Sequence, residues 1–353
     1  MFLRNAWYVT AWDWEVTADT LLGRIVLGEP IVLYRQRDGQ VVALEDRCCH
    51  RHYPLHEGTL TEDRIQCRYH GFVYDGTGAC VCVPGLPSVP RGIRVKSYPL
   101  IERYRFIWTW MGDRNLADPA QIVDFHWLDD PDWRAKGTMF HVKANYELII
   151  ENLLDLTHLT FLHGTTIGND ATTERADVTT HHTDRDVTVA RWMMDSPPPP
   201  TYVKAGGFTT NVDRWQFINF TAPCSVRLDV GALPTGNAAR QRKTDAFAAE
   251  GQLGEGIEMR NLNAITPETE KTTHYFWAQA HNFGLDEPRT TDALFEQIDA
   301  TFREDWEVFE KQQRSIDLAP GAPRVNVPAD AGQIQGIRLL RRKIEEEARA
   351  AHA

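Results

Sequence analysis

The chain has 353 residues, 42% of them hydrophobic and 25% charged, a length that suggests two domains and a composition that supports a packed core without disulfide staples. Its formal net charge of −11 argues against nucleic acid or an anionic membrane surface as partner. No apolar run is long enough to span a bilayer. Met1–Trp14 shows no secretory pattern, so a cytoplasmic protein is expected.

The first ~110 residues read as β structure. Arg24–Leu27 and Ile31–Arg35 are strand-like, Arg37-Asp38-Gly39-Gln40 is a hairpin turn before Val41–Leu44, and Asp75-Gly76-Thr77-Gly78 marks another turn. Arg105–Trp110 closes the region. A polar stretch from Gly112 to Asn115 places the expected boundary between domains 1–112 and 113–353.

Beyond it the periodicity changes. Ala144–Leu162 predicts one long helical segment, strands fill about 180–285, Thr290–Gln313 is an amphipathic helix and Ile337–Ala350 a last charged one. Pro197–Pro200 and a polar, Gly-containing stretch around 234–256 read as interruptions, the first as a polyproline loop. The expected class is α+β: an all-β N-terminal domain, then an antiparallel sheet with helices. No Gly-rich phosphate loop joins a strand to a helix, so a nucleotide fold has no support.

Six cysteines are present, five of them between Cys48 and Cys82. Clustering of this kind points to metal before disulfide. Cys48-Cys49-His50-Arg51 and Cys67-Arg68-Tyr69-His70-Gly71 each offer a thiolate and an imidazole. A [2Fe–2S] centre with two Cys on one iron and two His on the other takes one pair from each loop, Cys48 and Cys67 with His50 and His70. A structural zinc could use the same four residues, although zinc fingers usually pair Cys with Cys and His with His. Cys49 competes with Cys48 as ligand; the C-x-H spacing favours Cys48. Cys80, Cys82 and Cys224 read as buried apolar residues, and His52 and His56 as loop surface.

Tyr146–His163 carries a second constellation. Asn152, Asp155 and His158 recur every three residues, so on a continuous helix they share one side among apolar neighbours. A metal would satisfy polar groups in such a place. His158 and His163 reach one ion only if the helix ends or distorts between them, and Gly164 supports an ending. Two His and one carboxylate on one face of an iron leave positions open for O2. The carboxylate should come from elsewhere. Phe295, Ile298, Phe302, Asp305 and Phe309 step by 3, 4, 3 and 4, an apolar stripe with an aspartate in its fourth place. A buried Asp305 needs a counter-charge, which iron supplies, as would an Arg or His of the core. Asp292, Asp299, Glu304 and Glu307 lie off the stripe and read as solvated.

The paired Cys-His loops resemble the Rieske motif of aromatic-ring oxygenases. Arg4-Asn5-Ala6-Trp7-Tyr8-Val9 is similar to the vanillate O-demethylase group, which includes dicamba O-demethylase and toluenesulfonate methyl-monooxygenase oxygenase components; Cys48-Cys49-His50-Arg51 and Thr166-Ile167-Gly168 look like the last of these. The spacing of Asn152, Asp155, His158 and His163 is similar to the family's mononuclear iron motif, and Arg303-Glu304-Asp305 to its downstream carboxylate region. The resemblance implies a Rieske [2Fe–2S] domain, a helix-grip catalytic domain holding Fe(II) through His158, His163 and Asp305, and a homotrimer. In that trimer Asp155 bridges a cluster His of one subunit to an iron His of the next, as from His70 to His158. Asp213-Arg214-Trp215-Gln216, Ile265-Thr266-Pro267-Glu268 and Asp330-Ala331-Gly332 also resemble the family and read mostly as fold-maintaining.

The reaction implied uses O2 to insert one oxygen atom into a methyl or methoxy C–H bond of an aromatic acid. No flavin, nicotinamide or plant-type ferredoxin signature is visible, so electrons are expected from a separate reductase carrying flavin and ferredoxin-type iron–sulfur. Asn263 is a candidate for contacting substrate polar groups, against a strand Asn bonded to backbone or water. Ring cis-dihydroxylation and a bare Rieske electron carrier are the alternatives; a carrier has no use for His158, His163 and Asp305.

Overall fold

The computed structural model describes residues 1–164, 167–168, 176–236, 256–287 and 289–351. Thr166 and most of the polar stretch around 234–256 lie outside the described residues. The chain forms two compact units, one of Met1–Ile122 with Thr266–Thr269, the other of Val123–Ile265 with Glu270–Ala353.

The first unit holds ten strands: β1 (Trp7–Trp12), β2 (Leu22–Val26), β3 (Glu29–Arg35), β4 (Val41–Glu45), β5 (Thr59–Thr61), β6 (Arg64–Gln66), β7 (Val73–Tyr74), β8 (Cys80–Cys82), β9 (Leu100–Arg103) and β10 (Phe106–Trp110). They form three small sheets ordered β1-β10-β9, β2-β3-β4 and β5-β6-β7-β8. Ile31, Val32, Leu33 and Tyr34 on β3 are all buried, the mark of a strand covered on both faces. Val32, Tyr34, Leu44, Leu55, Ile65 and Tyr74 pack in one core with Cys48 and Cys67, so the apolar pattern of these strands sets the two thiols. Thr266–Thr269 join this unit where the Leu27 and Gly28 N–H groups donate to Pro267 O and Glu268 O. Cys80 is buried, but Cys82 is exposed, contrary to the sequence expectation, because it ends the edge strand β8.

The second unit is built on a seven-stranded antiparallel sheet of β11 (Arg134–Val142), β12 (Asp177–His182), β13 (Asp186–Ser196), β14 (Val212–Thr221), β15 (Ser225–Pro234), β16 (Ile257–Thr269) and β17 (Thr272–His281), ordered β11-β17-β16-β15-β14-β13-β12. Its helices are α1 (Tyr146–Leu154), α2 (Leu159–Leu162), α3 (Pro200–Gly206), α4 (Thr290–Leu318) and α5 (Ala331–Ala350). Gly332 and Gly336 let α5 close on its neighbours: a Cβ on Gly332 would stand 2.5 Å from Val189 Cγ2 and 2.9 Å from Leu154 O. The Asp330-Ala331-Gly332 motif is thus a packing device.

Two expectations fail here for local reasons. Ala144–Leu162 is not one helix. Asn145 caps α1 by accepting from Glu147 N, but the helix stops at Leu154, where Asp155 turns extended (φ −130°, ψ 102°) and its carboxylate accepts from Thr157 N. An Asp side chain offers the backbone a partner that competes with helix; a short 3-10 turn, Leu156–His158, and then α2 follow. Likewise Pro200 is not in the loop but starts α3, because proline lacks only an N–H that the first helical turn leaves unpaired anyway. Among the described residues no helix is long and apolar enough to cross a membrane.

Candidate metal centres and the active-site cavity

The two Cys-His loops share one backbone design. Cys48 N donates to Tyr53 O, and Cys48 O accepts from His52 N; Cys67 N donates to Phe72 O, and Cys67 O accepts from Gly71 N. The fifth residue of each loop takes positive φ, His52 at 58° and Gly71 at 74°. The thiols of Cys48 and Cys67 are buried, whereas His50 and His70 are exposed, with ring centroids 4.5 Å apart. The pairing is therefore Cys with Cys inside and His with His outside. Such a segregated donor set fits a two-iron cluster with different ligands on each iron. Burial, the largest influence, pushes the Cys67 thiol pKa up, so a thiolate there needs a cation beside it. Tyr74 Oη lies 3.1 Å from Cys48 Sγ and 3.2 Å from Cys49 Sγ. Burial and then these thiols push its pKa far above the phenol range, so it stays a proton donor.

In the second unit His158, His163 and Asp305 each bring one ligand atom, all within 4.8 Å of one another. The break at Asp155 makes this possible. Asn152, Asp155 and His158 do not share one helix face, as the sequence suggested; instead the turn brings His158 Nδ1 to Asp155 O at 2.8 Å. Donation to that carbonyl leaves Nε2 as the free lone pair. His158 Nε2 is buried without a hydrogen-bond partner and lies 3.6 Å from Asp305 Oδ1. His163, the C-cap of α2, points Nε2 at the same oxygen from 3.2 Å. Asn152 Nδ2 donates to it at 3.1 Å.

Asp305 lies on the buried face of α4, with Ile298, Phe302 and Phe309. Phe295 is only half-buried, stacked on Trp277. No described Lys or Arg pairs with Asp305; its neighbours are the two imidazoles. A buried carboxylate facing two imidazole Nε2 atoms, one of them orphaned, fits a divalent iron with open positions. Burial, chiefly, lowers the His158 pKa. For His163 burial again acts downward, but Asp305 and Glu304 outweigh it and raise the pKa.

Glu304 is partly exposed, as its place off the apolar stripe predicts, but its Oε2 also sits 2.5 Å from His163 Nδ1. A carboxylate on the far nitrogen fixes the ring and makes it a stronger ligand. The adjacent position in Glu304-Asp305 was the only trace of this in the sequence.

His158, His163 and Asp305 open onto a cavity. Leu153, Leu156, Ile298 and Phe302 give it apolar walls, and Arg214, Gln216, Asn261 and Gln279 line it from the sheet. Arg214 and Gln216, read as fold-maintaining, thus face the cavity, while Trp215 between them packs with Trp192 and Phe217 on the opposite face. Asn263 does not line the cavity. It is fully buried, donating to Asn261 Oδ1 at 2.8 Å and accepting from Tyr275 Oη at 2.7 Å, and Asn261 takes the cavity position instead. Ile167 also lines the cavity; a Cβ on Gly168 would run into Leu159 O.

Donor sets of these two kinds in one chain define the oxygenase subunit of a Rieske non-haem iron monooxygenase, and the comparisons agree. Residues 6–99 match the Rieske [2Fe-2S] domain and residues 142–346 the vanillate O-demethylase oxygenase C-terminal domain; the chain belongs to the vanillate O-demethylase oxygenase family. It is 40% identical over 349 residues to the iron-sulfur subunit of the toluene-4-sulfonate monooxygenase system of Comamonas testosteroni, covering 98% of each chain. It is 36% identical over 358 residues to a vanillate O-demethylase oxygenase subunit of a Pseudomonas species, covering 100% of this chain and 98% of that one. The crystal structure of dicamba monooxygenase bound to 3,6-dichlorosalicylic acid superposes with a TM-score of 0.89 at 34% identity, over 98% of this chain and 99% of that one. The chain carries a Rieske [2Fe–2S] domain and a His-His-Asp non-haem iron site. It is the oxygenase component of a multicomponent system, which sets aside a bare electron carrier.

Proposed function

We propose that the chain oxidises a methyl or methoxy group of an aromatic acid, by methyl hydroxylation or O-demethylation. The observation that carries this reading is the mainly apolar cavity, with a few polar side chains in its wall, opening directly onto His158, His163 and Asp305. Relatives support it by name: one acts in toluene-4-sulfonate oxidation, others on vanillate and dicamba. In this reading Cys48, Cys67, His50 and His70 hold the cluster, and His158, His163 and Asp305 hold the iron. When bound, the two centres supply one-electron delivery and O2 activation.

The chain's own residues set the conditions for that chemistry. Asn152 holds Asp305 Oδ1 in place, while Asp155 O and Glu304 hold the outer nitrogens of His158 and His163. Leu153, Leu156, Ile298 and Phe302 clasp an aromatic ring and exclude water from it. Asp155 links His158 to His70 of the next subunit in a homotrimer. A separate reductase, carrying flavin and ferredoxin-type iron–sulfur, docks from outside. The working division is a cluster domain, 1–112, and a catalytic domain, 113–353. The free thiols of Cys49 and Cys82, both exposed, suit a reducing cytoplasm.

The test is anaerobic purification with iron, sulfide and zinc analysis, then reductase-driven turnover of 4-toluenesulfonate, vanillate and dicamba. Benzylic alcohol or formaldehyde in step with O2 uptake is the expected product. A cis-diol would move the reading to ring dihydroxylation, and zinc without sulfide would end it.

A further inference from the structure

Among the described residues, the cavity holds a positive charge that no carboxylate answers. Arg214 is 2% exposed, and its Nε and Nη1 are buried without a hydrogen-bond partner. Nη2 donates to Ile167 O at 3.2 Å. The guanidinium lies over the Tyr202 ring, 4.8 Å from its centroid, and shares a side-chain hydrogen bond with Tyr202, contacts that ease the charge but supply no counter-charge. Among the described residues no carboxylate pairs with it, and the charge felt at Arg191 from Arg214 is repulsive. An arginine does not escape by losing its proton.

The same sheet shows how this fold treats a buried arginine when structure alone is at stake. Arg260 is fully buried and donates to Asp229 at 3.0 Å and Glu258 at 3.1 Å. Arg214 differs in facing the cavity. Gln216, two residues along β14 and on the same face, adds an Oε1 that is also buried and unpartnered. Two adjacent polar side chains with unused hydrogen-bonding capacity, one of them cationic, mark a place where a ligand supplies the missing groups.

We infer that Arg214 is the anchor for the acidic group of the substrate, a carboxylate or sulfonate, with Gln216 completing its hydrogen bonds. The charge selects acids over neutral aromatics and leaves the ring between the apolar walls, its reactive carbon toward the His-His-Asp cluster. The inference rests on the proposed oxidation of an aromatic acid in this cavity, and names the residue that recognises it.

The experiment is calorimetric titration of iron-loaded wild type, Arg214→Lys and Arg214→Met with 4-toluenesulfonate and 4-methylbenzoate, alongside melting curves of the ligand-free proteins. Arg214→Met is expected to weaken both acids roughly 100-fold, and Arg214→Lys to recover part of that loss. Ligand-free Arg214→Met should melt at or above the wild-type temperature, since an unpaired buried charge is removed. A structural arginine would give the opposite melting shift, and that result overturns the inference. So do acid affinities within threefold of wild type in Arg214→Met, or a wild type that binds neither acid. Arg214-dependent binding without turnover would instead leave the anchor standing and remove the proposed reaction. Turnover of aromatic acids with Arg214-independent binding would do the reverse.

Discussion

The two metal regions are built by opposite strategies. In the first unit four donors sit on two short loops that repeat one hydrogen-bond pattern, Cys48 to Tyr53 and Cys67 to Phe72. Each loop is complete in itself, and the core beneath only has to bring the pair together. In the second unit the donors come from a broken helix and from α4, with His163 and Asp305 142 residues apart in the chain. There the supporting groups are as dispersed as the ligands: a main-chain carbonyl at Asp155, a carboxylate at Glu304, an amide at Asn152. The lesson is that local loops specify a rigid redox cluster, whereas a catalytic metal with open positions is assembled by tertiary structure around a cavity.

That contrast predicts separable losses. His158→Ala should remove the mononuclear iron, lower turnover roughly 10³-fold or more, and leave the [2Fe–2S] absorbance intact; joint loss of both in metal and sulfide analysis would break the separation. Asp155→Asn keeps a side-chain acceptor for Thr157 N and the same main-chain carbonyl for His158. It should retain both metals while turnover falls by about 10²-fold, and stopped-flow reoxidation of the reduced cluster would show where electrons stall. Normal turnover would end the bridge role. Glu304→Gln should weaken iron binding about tenfold, read by Fe(II) titration of metal-free protein, with the cluster unchanged. The smallest effect belongs to the first unit. Tyr74→Phe removes a donor beside Cys48 Sγ and should lower the cluster potential by tens of millivolts, measured by redox titration, without changing iron content.

The same contrast explains what could be read from sequence. The C-x-H and C-x2-H spacings were legible because each loop's geometry is local. Asp305 was legible because α4 is regular, so a stripe of steps 3 and 4 reports its buried face. Glu304 was not. It lies one residue off that stripe, and its tie to His163 exists only after α2 and α4 meet. The end of α1 at Leu154 was hidden by the apolar residues that continue past it, although Asp155 itself carries the competing hydrogen bond. Arg214 and Asn263 show a further limit. Alternation along a strand tells which residues share a face, but not which face meets the cavity or how far along the strand the cavity reaches.

The strict alternation of β14 has a consequence for how this chain can change. Arg214 and Gln216 look into the cavity while Trp215 and Phe217 anchor the other side of the sheet. Neighbouring letters of one strand thus have different surroundings, the cavity at one and the packed face of the sheet at the next. A single substitution at Arg214 or Gln216 therefore reshapes the cavity wall, whereas one at Trp215 or Phe217 alters the packing behind it.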